Sequence, residues 1–359
     1  MERSIAKEVE GFQGKGWLQS SQVYDYLGNV VQSFSPEYNG TGVVTYNEYD
    51  YLNRLKSTFV PGKGITSFDY DYINGGTKVT TLTTAGHTFS STTDVSGRVI
   101  EKIDYGGKLQ YKYNGQGLQT EVKLDGKVTV TMMYDGVGHR TSMKDINAGT
   151  NSYRYDPLGR LLYQKTARDY VTTYDYDVIG RPMSRQGAEG LTTYDYTKSG
   201  GGINQIWIVK GYNGFDQTTI YDGYGRVKTH TETIKGKDYT HSYDYDKYNN
   251  QFLEVYPTGF TIKRDYDDNS YLTKVGEFKN QAMGTVFFDA TDVDQHGNYS
   301  KYKLGNGLTT TNTYTKFGLP ENFTTSGAMN MDFNFNPQSG NLDYRREQYK
   351  RDFGGFYVR

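Results

Sequence analysis

The 359 residues suffice for two ordinary domains or one elongated array, so length alone does not choose between them. Lys and Arg number 40 against 41 Asp and Glu, which gives no bulk electrostatic reason to expect DNA, RNA or an anionic membrane as a partner. The absence of cysteine excludes a disulfide framework, a thiolate metal site and a cysteine nucleophile; 36 Tyr and 43 Gly beside only 7 Pro, with abundant Thr, read as an all-β chain.

In chain order, residues 1–22 read as an entry segment, for which continuation from upstream sequence is one expectation. Its "MERSIAKEVEGFQGKGW" has no apolar core of the kind a secretory signal needs, and Ile5 to Glu10 is the one short stretch that could turn helical. From residue 23 the chain repeats itself. "YDYLGN" at Tyr24 is followed by "YDYLNR" at Tyr49, "YDYING" at Tyr70, "TDVSGR" at Thr93 and "YNGQGL" at Tyr113. Then come "YDGVGH" at Tyr134, "YDPLGR" at Tyr155, "YDVIGR" at Tyr176, the degenerate "YTKSGG" at Tyr196 and "YDGYGR" at Tyr221. "YDKYNN" (Tyr245), "YDDNSY" (Tyr266), "VDQHGN" (Val293), "YTKFGL" (Tyr314) and "FNPQSGN" (Phe335) close the series. Between Tyr113 and Tyr196 the step is 20 or 21 residues, and elsewhere it stretches to about 25, the signature of a repeat architecture. The aliphatic run Ile206–Val209 is far too short to span a membrane.

Each unit predicts the same local structure. The lead-in alternates Tyr and Thr, as in "DYVTTYDY" (residues 169–176), which is a strand signature. Asp-x-x-Gly then supplies a type I turn, with Asp accepting a backbone N–H two residues on and Gly taking the left-handed conformation of a bulged hairpin. Pro157 stands where the fixed φ of proline suits that turn. An Arg-apolar run starts the return strand, and a looser connection leads to the next unit. The turn residues that define the array are Tyr24, Asp25 and Gly28; Tyr134, Asp135 and Gly138; Tyr155, Asp156, Pro157, Gly159 and Arg160; Tyr176, Asp177, Gly180 and Arg181; and Tyr221, Asp222, Gly225 and Arg226. The array covers 23–342, and the basic-aromatic tail 343–359 reads as a further partial repeat.

These units resemble the Rhs/YD-repeat family: bacterial rearrangement-hotspot proteins, the shells of insecticidal toxin complexes, wall-associated polymorphic toxins and the related teneurins. "GTNSYRYDPLGRLLYQ" (residues 149–164) fits the family unit throughout, and residues 304–319 and 336–342 are similar to stretches of long bacterial members. The resemblance implies a β-sheet ribbon spiralling into a hollow shell, which in many members encloses a C-terminal toxin released by cleavage. The final "REQYKRDFGGFYVR" shows neither a cleavage motif nor a toxin, and the start shows no secretion module. The expectation is therefore a portion of a larger secreted or surface protein whose export signal lies elsewhere, or a truncated member of the family.

Recurrence argues against a catalytic reading of any single Tyr-Asp pair, since an active site is normally singular. The rings are expected to form cross-strand ladders. Arg98, Arg160, Arg181 and Arg226 could hold anions, but stacking on Tyr or pairing with the next unit's Asp is the simpler reading. "DVDQHGN" (292–298) approaches a calcium loop and fails it at His296 and Lys303. Asp265, Asp267 and Asp268 read as solvated turn carboxylates. His87, His139, His230, His241 and His296 lack metal-ligand spacing, "PGKGITS" (61–67) lacks the phosphate-loop spacing, and nothing supports a serine triad. Neither an enzyme nor a cofactor nor a metal is expected. The preferred function is a structural shell segment around a polypeptide cargo, with the rest of the parent chain and secretion or surface machinery as further partners. The alternative is an adhesive or carbohydrate-binding repeat module, disfavoured because Trp17 and Trp207 are the only tryptophans.

Overall fold

The computed structural model describes residues 3–38, 40, 42–73 and 75–348. Among these residues thirty-one strands run from β1 (Arg3–Glu10) to β31 (Leu342–Glu347), each antiparallel to its neighbours in sequence, as one open meander. Among the described residues there is no α-helix, only the 3₁₀ turns Phe12–Gly14 and Tyr212–Gly214. The chain is all-β and built of consecutive hairpins, as its Tyr/Thr alternation predicts.

One unit shows how sequence becomes curvature. β14 (Gly149–Tyr155) pairs with β15 (Leu161–Lys165), setting Tyr153 opposite Gln164 and Arg154 opposite Tyr163; then the register slips, and Tyr155 faces Leu161. The slip is a β-bulge, produced by the extra residue that the Asp-x-x-Gly turn feeds into the return strand. It recurs immediately before Tyr49, Tyr134, Tyr176, Tyr221, Tyr245 and Tyr266. A bulge increases local right-handed twist; repeated at the same end of hairpin after hairpin, it bends the ribbon in one sense.

Three expectations are corrected. Ile5–Glu10 is strand, because Ile5 to Glu10 pair residue for residue with Gln22 to Trp17 on β2 (Trp17–Tyr24). "YDYING" carries no Asp-x-x-Gly turn: β6 (Gly64–Ile73) runs straight through Asp71, which pairs with Lys78, and the reversal comes after Ile73. The connections at the other end of the strands are also tight, many of them two-residue hairpins. At Asp125-Gly126 and Lys235-Gly236 both residues have positive φ (49° and 82°, 50° and 78°), the conformation whose twist matches that of paired strands. Of the tail, residues 343–347 continue as β31, and 349–359 lie outside the described residues.

The sheet thus has two rims, one made of the Tyr-Asp turns and the far rim made of the other connections. These rims meet. The far-rim connection after β1 touches the Tyr-Asp turn after β24 (Thr261–Tyr266), and the one after β5 (Leu55–Val60) touches the turn after β28 (Thr309–Tyr314). In both cases the contact falls twenty-three strands further on. An odd offset must bring opposite rims together, so the ribbon advances by a strand length per circuit and forms a spiral. At roughly 4.8 Å per strand, a circuit spans about 110 Å of wall, or about 35 Å across. The only buried apolar cluster among the described residues, Phe12, Ala290 and Val293, lies at this seam.

Candidate functional site

The Tyr-Asp turn is a closed hydrogen-bonded unit. In the copy at Tyr155, Asp156 Oδ1 accepts the backbone N–H groups of Leu158 and Arg160, each at 2.9 Å, and the Asp156 carbonyl accepts the Gly159 N–H at 3.0 Å. Asp156 Oδ2 accepts Arg160 Nε at 2.6 Å. Gly159 has φ +81°, and a Cβ there would lie 2.7 Å from His139 Nε2, so both the backbone and the neighbouring unit require glycine. The same Oδ1 double acceptance occurs at Asp25, Asp50, Asp94, Asp135, Asp177, Asp222, Asp246, Asp267 and Asp294, with Asn114 doing likewise.

Arginine clamps its own turn and reaches the next one. Arg54, Arg98, Arg160, Arg181 and Arg226 pair with the Asp four residues earlier, not with the Asp of the next unit. Each guanidinium also lies over the following unit's tyrosine: Arg160 is 5.1 Å from the Tyr176 ring centre, Arg181 4.2 Å from Tyr196 and Arg226 4.4 Å from Tyr245. Arg160 Nη1 completes the bridge by donating to the Asp177 backbone carbonyl at 3.0 Å. His139, which occupies the Arg position, does the same work with a ring, bonding Asp135 Oδ2 at 3.0 Å and stacking on Tyr155 at 5.0 Å. Anion binding would require breaking these contacts.

Tyrosine is a tie between units. Tyr49, Tyr70, Tyr113, Tyr134, Tyr155, Tyr176, Tyr196, Tyr221, Tyr245, Tyr266 and Tyr299 each donate the phenol O–H to a carbonyl at the start of the preceding unit's return strand, at 2.7–3.2 Å. The expected ring-on-ring ladder forms only in places among the described residues: Tyr46 stacks on Phe59 across a strand pair, and Tyr314, Phe323 and Phe333 run over three adjacent strands with ring centres 5.6 and 5.1 Å apart, while no two tyrosines stack on each other. At the turns, the Tyr155, Tyr176, Tyr196 and Tyr245 rings face His or Arg instead, and their hydroxyls face backbone. Partial burial raises the Tyr155, Tyr176, Tyr245 and Tyr266 phenols above their ordinary value. Burial pushes the Asp156 carboxyl up as well, but the Arg160 backbone N–H and guanidinium overcome it and hold the carboxyl below the usual Asp range. In Asp50 and Asp94 the arginine hydrogen bond is itself the largest influence and lowers the carboxyl.

The seam uses turns that depart from this pattern. Tyr271 replaces the clamping Arg in the unit at Asp267, leaving Asp267 Oδ2 to accept the Gln13 N–H at 2.8 Å. Phe12 packs edge-on against Tyr271, with ring centres 5.9 Å apart, and is 2% exposed. Lys15 Nζ bonds Asp292 Oδ1 at 2.6 Å and the Val293 carbonyl at 2.9 Å. Further along, Lys63 Nζ sits 4.4 Å from the Phe317 ring centre, and Lys316 donates to the Pro61 carbonyl. The near-calcium loop is thereby accounted for: Asp292 serves the seam, and Asp294 caps its own turn through the His296 and Asn298 N–H groups.

Two of the open cavities are lined by groups outside the turn pattern. One of about 740 Å³ lies at the degenerate unit, among Arg181, Tyr194, Tyr196, Trp207 and Tyr221. Another of about 580 Å³ holds a polar group that the sequence did not reveal. His230 and His241 face each other across adjacent strands, His241 Nδ1 is 3.5 Å from Glu254 Oε1, and Arg264 Nη2 is 2.7 Å from Glu254 Oε2. Their eleven-residue separation joins only when strand register is known. Among the described residues no cluster of three or more His, Asp or Glu is arranged to hold a metal ion, and no helix is long and apolar enough to cross a membrane.

No protein-family model matches this sequence, and no curated sequence matches it. Solved structures do match in fold. The chain is similar to the crystal structure of TcdB2-TccC3-Cdc42 with a TM-score of 0.80 at 13% identity, over 96% of this chain and 21% of that one. It is similar to the crystal structure of TcdB2-TccC3 with a TM-score of 0.78 at 14% identity, over 98% of this chain and 22% of that one. The Photorhabdus luminescens Tc holotoxin pore gives 0.78 at 13% identity, over 97% and 21%. This chain spans about a fifth of the chains it matches. The likeness establishes the fold: a toxin-complex type of spiral sheet, as the repeat resemblance implies.

Proposed function

We propose that the chain is a stretch of wall, a non-enzymatic segment of an Rhs-type shell that encloses a polypeptide outside the producing cell or at its surface. The observation that carries this reading is the seam. A single-layer sheet that returns on itself after twenty-three strands, with its few buried apolar residues placed between circuits, spends its sequence on closing a wall rather than on filling a core. The turns support it by being chemically satisfied within the wall, the clamping Asp–Arg pairs closing their own turns and the Arg reaching only the neighbouring unit. The fold shared with the TcdB2-TccC3 structures, whose name joins two polypeptides, supports a polypeptide as the enclosed partner.

The test is protection. An unstructured reporter peptide fused after Arg359 is exposed to a protease large enough to be kept out by the wall. Enclosure predicts slower cleavage than for the same reporter on an unrelated β carrier; equal rates sink the proposal. A glycan array supplies the competing outcome, because saturable sugar binding lost on Trp207→Ala would favour the carbohydrate-binding module instead.

A further inference from the structure

We propose that a carboxylate-binding site is set into the tyrosine-bearing face of the sheet, with Arg264 as its anchor and either an acidic polypeptide side chain or a free organic acid as the source of the carboxylate. The site lies apart from the rims and holds whatever the wall encloses.

Strand register assembles the site. β20 (Phe215–Tyr221), β21 (Val227–Ile234), β22 (Lys237–Tyr245) and β23 (Gln251–Val255) lead into β24. Thr219 stands opposite His230, and His230 opposite His241; two residues further along β22, Tyr243 stands opposite Glu254, which in turn is opposite Ile262. Alternate residues of a strand share a face, so Tyr245 and Arg264 join the same one. The cavity of about 580 Å³ lies among these strands, with Tyr221, Tyr243, Tyr245, His230, Glu254 and Arg264 in its walls. The seam joins circuits of the ribbon rim to rim, whereas this hollow opens on the face of the sheet, so a continuing ribbon does not fill it.

Donors outnumber acceptors there. Glu254 is the one carboxylate in the cavity wall, and it is already engaged: Arg264 Nη2 donates to its Oε2 at 2.7 Å, and Gln251 Nε2 approaches the same oxygen at 3.5 Å. Arg264 Nη1 and His241 Nδ1, which belong to the two groups facing Glu254, are buried with no hydrogen-bond partner among the described residues, two of seven such side-chain atoms. A buried donor left unpaired carries a desolvation cost that an incoming oxygen relieves. His230 spends Nδ1 on the Thr219 hydroxyl at 3.0 Å, and its Nε2 is 3.8 Å from Glu232 Oε1, beyond hydrogen-bond reach. Burial, and then the charge of Glu254, hold the Tyr243 phenol above its ordinary value, so it stays a donor. A carboxylate offers two oxygens to the fork of a guanidinium, and the tyrosine walls suit an apolar body behind it. Such a ligand shares Arg264 with Glu254, and that competition is what distinguishes the site.

The test is fluorine NMR on the full chain, titrated with a fluorinated benzoate and, as its neutral isostere, the matching benzamide. Wild type should bind the benzoate saturably and the benzamide about tenfold more weakly or not at all. Arg264→Gln should weaken the benzoate by about tenfold. Glu254→Gln keeps the shape and removes the competing charge, so it should tighten the benzoate by about fivefold; a purely structural Glu254–Arg264 pair predicts no such gain. Circular dichroism verifies the sheet, and Glu254→Gln alone carries the test if Arg264→Gln does not fold. A capped Tyr-Glu-Tyr peptide, set against Tyr-Gln-Tyr, assigns the source: displacement of the benzoate by the Glu peptide at lower concentration than by unlabelled benzoate identifies a polypeptide, and the reverse order a free acid. A benzoate that does not bind overturns the proposal. So does binding equal to that of the benzamide, binding undiminished in folded Arg264→Gln, or the absence of any gain in Glu254→Gln.

Discussion

Tyr155, Asp156, Gly159 and Arg160 each do one job in the turn, and the jobs differ in strength. The Tyr155 hydroxyl donates to the Arg140 carbonyl at 3.2 Å while its ring accepts a neighbour's imidazole, so Tyr155→Phe removes the bond and keeps the ring. The expected cost is about 1 kcal/mol, seen as faster hydrogen exchange confined to the strands flanking residues 140 and 155. Ionisation of these groups acts at both ends of the pH scale. The clamped Asp carboxyls lie below their ordinary value of 3.8 in the folded chain, so their contribution is intact above that value and is lost as pH falls through the lowered folded one. The tyrosines lie above 10.0, so their contribution is intact below 10 and is lost as pH rises through the raised folded value. Circular dichroism against pH should therefore show a flat plateau with an acid arm beginning near 4 and an alkaline arm beginning near 10. A transition near neutrality would contradict these assignments.

At the scale of the element, the hairpin was legible and its neighbours were less so. Tyr-Asp-x-x-Gly-Arg declares a strand, a turn and a bulge through chemistry confined to six residues, which is why the turns fall where the repeat places them. "YDYING" misled because Gly75-Gly76, a few residues later, offers the chain another tight reversal, and the strand simply runs on through Asp71. The far-rim hairpins share no single motif, although Asp125-Gly126 is by itself a two-residue hairpin signal. The Phe12–Gly14 turn was invisible as a docking element, since its partners lie more than 250 residues away and no local period encodes them. It is nevertheless the element whose loss should matter most locally. Phe12→Ala should cost about 3 kcal/mol, releasing β1 and β2 to hydrogen exchange while strands between residues 119 and 255 keep their protection. Uniform loss of protection across the sheet would show that the seam is not a separable contact.

At the scale of the molecule, stability is distributed along the ribbon and closure is concentrated at one line. Hairpin-to-hairpin ties repeat from Tyr49 to Tyr299 and make each unit depend on its neighbours, as in other quasi-one-dimensional arrays. The circumference, by contrast, follows from bulges accumulated over twenty-three strands, a sum that no single unit displays. This is why a spiral could be expected from the family resemblance and not from composition or spacing. The Cys-free sequence allows the central claim to be measured cleanly. Nitroxide labels on Ile65→Cys and Thr313→Cys, two exposed positions flanking the seam but outside its named contacts, report their separation by pulsed electron resonance. The spiral predicts a single narrow distribution at the short end of the method's range. An unclosed ribbon would hold the labels up to about 110 Å apart, and a long or featureless distribution would contradict the account.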